Sequence, residues 1–143
     1  MANNMQAKLI ETYSHKKEGY NPFLIRKGWQ VAQLNYIPEQ GLNSILKIEV
    51  HPNTDEAFIL LTGTAVLIAA ARLAHNISYE MTNMEQGIVY NIPKGTWHNI
   101  AMKEDTQVII IENDNTHQND FGYYYLDEEQ KTALYQQIAN ELK

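Results

Sequence analysis

Four residues carry the chemistry that this chain offers: Glu49, His51, Glu56 and His98. In an extended strand, residues two apart share a face, so Glu49 and His51 project together. Lys47 joins them unless a bulge intervenes, and Leu46, Ile48 and Val50 take the other face. Glu56 opens the next apolar stretch after the tight Pro52-Asn53-Thr54-Asp55 connection. In a hairpin-like pair its side chain comes close to that of His51. His98 lies far along the chain, and only folding brings it near. A buried carboxylate at Glu56 needs a metal, a cation or a set of donors to offset its desolvation. Asp55 should point away from Glu56 and cap local backbone amides. Trp97 faces opposite to His98, towards core or interface. Phe58 and Tyr90 are expected on the wall of a cavity, whereas His15, His75 and His117 read as structural or exposed histidines.

The elements that must position these residues are short strands. Candidates run over 23–25, 30–37, 44–51, 56–61, 64–71, 77–81, 88–92, 97–102 and 107–112. Turn residues such as Pro38-Glu39-Gln40-Gly41, Thr62-Gly63 and Pro93-Lys94-Gly95 separate them. Many short strands at even spacing predict an all-β sandwich or barrel. The ends differ. Leu9 and Ile10 suggest a short helix before Tyr13. Leu134, Ile138 and Leu142 recur every fourth residue, which predicts an amphipathic helix over about 127–142. Asp127 and Gln130 have the spacing of a capping box at its start. The Tyr123-Tyr124-Tyr125 run is expected to close one end of the barrel or to form a dimer contact.

These stretches resemble the two sequence motifs of the cupin superfamily. The first motif is His-x-His, three or four residues, Glu, six residues, Gly. This chain has Glu49-x-His51, then four residues, Glu56, six residues and Gly63. The second is Gly, five residues, Pro-x-Gly, two residues, His, three residues, Asn. Here Gly87, Pro93-Lys94-Gly95 and His98 hold their places, and Met102 stands where the family has Asn. The resemblance spans about 49–102. It implies a single cupin domain over 1–143: a double-stranded β-helix (jelly-roll barrel), core about 23–112, with the C-terminal helix beside it. It also implies a divalent metal (Mn, Fe, Zn or Ni) on His51, Glu56 and His98. Glu49 replaces the family's first histidine, and three roles stay open for it: fourth ligand, catalytic base beside the ion, or a carboxylate paired with Lys47 or solvent. Met102 would make its part of the cavity apolar.

Composition narrows the partners. The 143 residues suffice for one domain with a sizeable core. A net charge of −6 without a Lys/Arg cluster argues against nucleic acid. With no cysteine, disulfides, thiolate metal sites and Cys nucleophiles are excluded. The longest apolar run, 65–71, is too short to span a bilayer. No signal peptide is visible, so a cytoplasmic domain is expected, with a homodimer implied by the resemblance and the terminal helix. Two functions follow: a metal-dependent enzyme of isomerase, lyase or oxygenase type acting on a small molecule, or a non-catalytic barrel that holds a small ligand.

Overall fold

A computed structural model of the chain describes residues 8–143. Its elements in order are β1 (Gly19–Arg26), β2 (Trp29–Asn35), β3 (Lys47–Val50), β4 (Glu56–Thr62), β5 (Ala65–Leu73), β6 (Asn76–Asn83), β7 (Val89–Ile92), β8 (Trp97–Met102), β9 (Gln107–Glu112), the one-turn helix α1 (Thr116–Asn119), β10 (Gly122–Tyr125) and α2 (Glu128–Glu141). The strands form two five-stranded sheets, ordered β1-β2-β9-β4-β7 and β10-β3-β8-β5-β6. Every strand pairing is antiparallel, and the two sheets face each other as a jelly roll.

Alternation along the strands builds the core between the sheets. Ala32 and Leu34 of β2, Phe58 and Leu60 of β4, Ala65 and Leu67 of β5, Ile100 and Met102 of β8, and Val108 and Ile110 of β9 all pack in one buried cluster. The second sheet is buried on its other face as well. Val66, Ile68 and Ala70 of β5 pack with Ile48, Ala101, Leu134 and Ile138, so α2 covers that face. This two-sided burial explains why 65–71 reads as a continuous apolar run rather than an alternating one. Helix α2 starts at a capping box: Gln130 N–H donates to the Asp127 carboxylate at 2.8 Å, and Asp127 N–H donates to the Gln130 side chain at 2.9 Å.

The inward face of each strand is apolar in the middle and polar at one end. In register, Gln30, Ala32 and Leu34 of β2 lie opposite Glu112, Ile110 and Val108 of β9. Phe58 and Leu60 of β4 lie beside Ile110 and Val108, with Glu56 next in line. Across the core, β8 pairs His98 with Glu49, and Ile100 and Met102 continue the series inward. One mouth of the sandwich therefore carries a polar layer of Gln30, Glu49, Glu56, His98 and Glu112, set above apolar layers.

Two turns hold this arrangement. Gly63 has φ +91°, and a Cβ there would lie 2.6 Å from Thr106 Cα, so only glycine fits between β4 and the β8–β9 turn. Gly95, at φ +78°, donates its N–H to His51 O at 2.9 Å and ties the second motif's turn to the end of β3.

Sequence expectations fail at both ends. Residues 8–13 form no helix: Leu9 is 98% exposed and Ile10 80%, with no apolar surface to bury against. The rest of that expected helix lies outside the described residues. Strand β1 begins at Gly19, ahead of the expected start at 23, because Gly19 to Asn21 find partners on β2; its register slips between Asn21 and Leu24, around Pro22. Strand β10 was not expected at all. Tyr123 pairs with Glu49 and Tyr124 with Ile48, so the tyrosine run is an edge strand next to the first motif.

Candidate functional site

The polar layer converges on one point. His51 Nε2 and His98 Nε2 both lie 2.8 Å from Glu56 Oε2. Glu49 Oε1 stands 4.0 Å from His51 Nε2 and 3.9 Å from His98 Nε2. Three of these residues are buried, and Glu49 is about a third exposed, at 32% of its side chain. The structure thus brings together Glu49, His51, Glu56 and His98, from three strands and the residue after β3.

The other nitrogen of each imidazole is anchored. His51 Nδ1 lies 2.6 Å from Asp120 O, and His98 Nδ1 lies 2.9 Å from Thr96 O. A backbone carbonyl only accepts, so each Nδ1 carries a proton and donates it. In the neutral rings both Nε2 lone pairs then face a carboxylate oxygen, which is also an acceptor. That junction requires a proton or a cation. An ion with ligand bonds of about 2.0–2.2 Å sets its ligand atoms about 2.8–3.6 Å apart, so shifts of a few tenths of an ångström fit it to this set. Anchoring of ring N–H groups by backbone carbonyls is also how protein metal sites orient histidine ligands.

With protein groups alone, protons take that place. Burial works against the charged form of His51, but the hydrogen bond and charge of Glu56 outweigh it and push the ring up to about 9. His98 moves in the same direction, with burial opposed by the same carboxylate. Burial alone would raise Glu56, yet its two imidazole partners pull it down to about 2. Glu49 is raised, first by burial and then by the charge of Glu56.

A cavity of about 290 Å³ opens over the cluster, with Leu34, Ile37, Phe58, Ile100 and Ile110 among its walls. Phe58 is where the sequence placed it. Tyr90 and Met102 are not, and both expectations are corrected. Met102 is fully buried in the core, four residues further along β8 than His98 and therefore two layers below the mouth. Tyr90 packs against the core from β7, with its hydroxyl accepting from Glu85 N–H at 2.9 Å, and it borders a different hollow. Lys47 does not pair with Glu49: its Nζ lies 3.8 Å from the Tyr123 ring centroid. Asp55 accepts from Lys94 N–H at 2.9 Å and Asn91 at 3.1 Å, as a capping residue should. Trp97 packs edge-on to Tyr124, away from the cavity.

The structure adds residues that sequence reasoning passed over. Glu112 is buried at the mouth, and its Oε1 accepts from Tyr20 OH at 2.5 Å and Gln30 Nε2 at 3.1 Å. Burial, followed by the charge of Glu56, pushes Glu112 up to about 7, and burial with the charge of Glu112 raises Tyr20. Its carboxylate falls within 4.8 Å of ligand atoms of His51 and Glu56. His117, read as structural from the sequence, lines the cavity with its Nδ1 3.2 Å from Gln30 Nε2. A signal for Glu112 existed: Val108, Ile110 and Glu112 share one face of β9. No sequence signal pointed to Tyr20 or His117, which reach the mouth from β1 and α1.

No family model matches the sequence, and no curated protein matches it. Solved structures do. A cupin-2 domain protein from Shewanella frigidimarina is 22% identical with a TM-score of 0.50, covering 69% of this chain and 84% of that one. Pac13, described as a nucleoside dehydratase, is 10% identical with a TM-score of 0.55, covering 81% of this chain and 88% of that one. A Streptomyces PAC13 variant with uridine has a TM-score of 0.56 at 11% identity, covering 86% and 97%. At these identities the likeness is one of fold. Fold and site together define a small cupin-type jelly roll with a histidine–glutamate cluster at its mouth.

Proposed function

We propose that the chain binds a divalent metal ion through His51, His98, Glu56 and Glu49 and acts on a small molecule held in the cavity above them. One observation carries this reading: two imidazoles with anchored Nδ1 atoms direct both Nε2 lone pairs at a single carboxylate oxygen. Two nitrogen and two carboxylate donors suit Mn, Fe, Zn or Ni better than ions that demand oxygen alone. Such an ion would supply Lewis-acid polarisation of an oxygen on the bound molecule. Glu49 is the carboxylate placed to move a proton. It is the most exposed of the cluster, and burial already raises its proton affinity towards that of a working base. Proton-transfer chemistry of isomerase or lyase type follows, and the dehydratase activity described for Pac13, on the same fold, belongs to that class.

A second reading has its own support. Glu56 already bridges both imidazoles at 2.8 Å, so the cluster is closed by hydrogen bonds when the rings are protonated. A cavity that binds a small ligand without metal or catalysis is consistent with that closure. The homodimer belongs to the proposal too, supported by the half-exposed aromatic Phe121 and Tyr123 beside and on the edge strand β10.

Metal content of untagged protein separates the two. Stoichiometric metal in the native chain, lost in His51→Ala, is the expected result, and loss in Glu49→Gln as well makes Glu49 a ligand. Protein that takes up none of Mn²⁺, Fe²⁺, Zn²⁺ or Ni²⁺ leaves only the binding module.

A further inference from the structure

Glu112 lines the cavity with half of its carboxylate unpaired. Its Oε1 is saturated by Tyr20 OH and Gln30 Nε2, whereas Oε2 is buried and has no partner among the described residues. The two contacts on Oε1 hold the carboxylate in place. Gln30, fully buried, is itself fixed, because its Oε1 accepts from Asn115 N–H at 2.8 Å. A buried acceptor left unpaired is costly, and on a residue that lines a cavity it is a position where a bound molecule can supply the donor. Of the other buried unpaired atoms, His15 Nε2 and Tyr79 OH, neither residue lines this cavity.

The surroundings select the donor. Among the described residues three carboxylates, Glu49, Glu56 and Glu112, line the cavity, and no lysine or arginine does. Even with a divalent ion in the cluster, the lining carries no positive surplus to hold an acid or a phosphate. Phe58 and Ile110 give the same space apolar walls that suit a carbon skeleton. We propose that Glu112 Oε2, presented by Tyr20 and Gln30, recognises a hydroxyl or ammonium group of a neutral or cationic small molecule, and that the cavity rejects carboxylates and phosphates. This rests on the reading that the cavity receives a small molecule, and it assigns that molecule a chemical class. Glu112 acts here by binding and positioning. Since it stands within 4.8 Å of ligand atoms of His51 and Glu56, the donor it holds lies beside the cluster.

The test uses four probes of similar size and differing charge: xylitol, glucosamine, gluconate and glucose 6-phosphate. Binding to the full chain, Zn²⁺-loaded and metal-free, is followed by ligand-observed NMR at millimolar probe, with zinc stoichiometry measured on the same samples. Xylitol or glucosamine is expected to bind at least about tenfold more tightly than either anion. Glu112→Gln keeps the Oε1 contacts but turns the free acceptor into a donor, and should weaken the favoured probe about tenfold, in the range of one charge-assisted hydrogen bond. Zinc content should not change. Tyr20→Phe, which removes one of the two groups presenting the carboxylate, should weaken it several-fold, and provides a second variant should Glu112→Gln fold poorly. Binding of no probe, anions bound as tightly as the others, or full affinity in both variants would overturn the proposal. If the chain takes no zinc yet binds the donor probes through Glu112, the metal reading falls and this one stands; zinc without donor binding is the reverse.

Discussion

At the scale of residues, Glu56 decides the state of the site. It is the shared partner of both imidazoles, and its charge and hydrogen bonds are the largest of the influences that hold them above the ordinary histidine value against the pull of burial. Removing that charge without changing shape isolates the effect. In the Glu56→Gln variant only the Asp120 carbonyl and the charge of Glu49 still oppose desolvation at His51, so its pKa should fall well below about 9. An NMR titration of the His51 ring measures this directly, and a value that stays high would mean that Glu49 or Glu112 carries the field. The same residue shows what the sequence made legible. His51, Glu56 and His98 were readable because two motifs set them at fixed offsets from glycines and a proline. Glu112 was within reach of strand alternation, but nothing marks one glutamate at the end of an apolar strand as buried rather than solvated. Tyr20 and His117 were beyond reach, since their place depends on how β1 and α1 cross the mouth.

At the scale of elements, alternation sorts the strands into layers, and turns keep the layers in register. Nine strand positions were visible from apolar runs and breakers, because each is bounded by residues that stop a ladder. Strand β10 was not: Tyr123 and Tyr125 are 43% and 66% exposed, so the strand shows no alternation between apolar and polar residues and exists through its pairing with β3. Met102 was misplaced for a related reason. The motif fixed its distance from His98 but not the depth at which β8 enters the core. Gly63 is the sharpest case of a turn that permits one residue type. Gly63→Ala meets Thr106 backbone and side chain while forcing a positive φ on a Cβ-bearing residue. Strain and overpacking together should cost about 2–4 kcal/mol. Urea unfolding would read the loss as a lower midpoint at unchanged slope, and a midpoint equal to that of the parent would refute the close packing of this turn.

At the scale of the molecule, the proposed metal would compete with protons for the point where two sheets meet, and this competition sets how stability should follow pH. Without metal, His51 is raised from 6.5 to about 9, so its contribution is complete below about 6.5 and is lost as pH rises through about 9. Glu56 is lowered from 4.5 to about 2, so its contribution is present above 4.5 and is lost as pH falls towards 2. Glu112, raised from 4.5 to about 7, and Glu49, also raised, lose their contributions as pH rises above 4.5, so metal-free protein should be most stable near the lower end of the window between about 4.5 and 6.5 and should weaken towards alkaline pH. On the proposed reading, zinc would reverse the alkaline side. It needs neutral imidazoles, so it binds with release of the protons that held the cluster together, and its affinity rises as those protons become easier to lose. Because a ligand stabilises by its affinity for the folded state, the gap in Tm between loaded and metal-free protein should widen steadily from about pH 6 to about pH 9. Thermal unfolding at fixed zinc across that range tests this. A gap that stays flat or narrows would mean that no metal replaces the protons shared by His51, Glu56 and His98, and the closed, metal-free cavity would be the working state of the molecule.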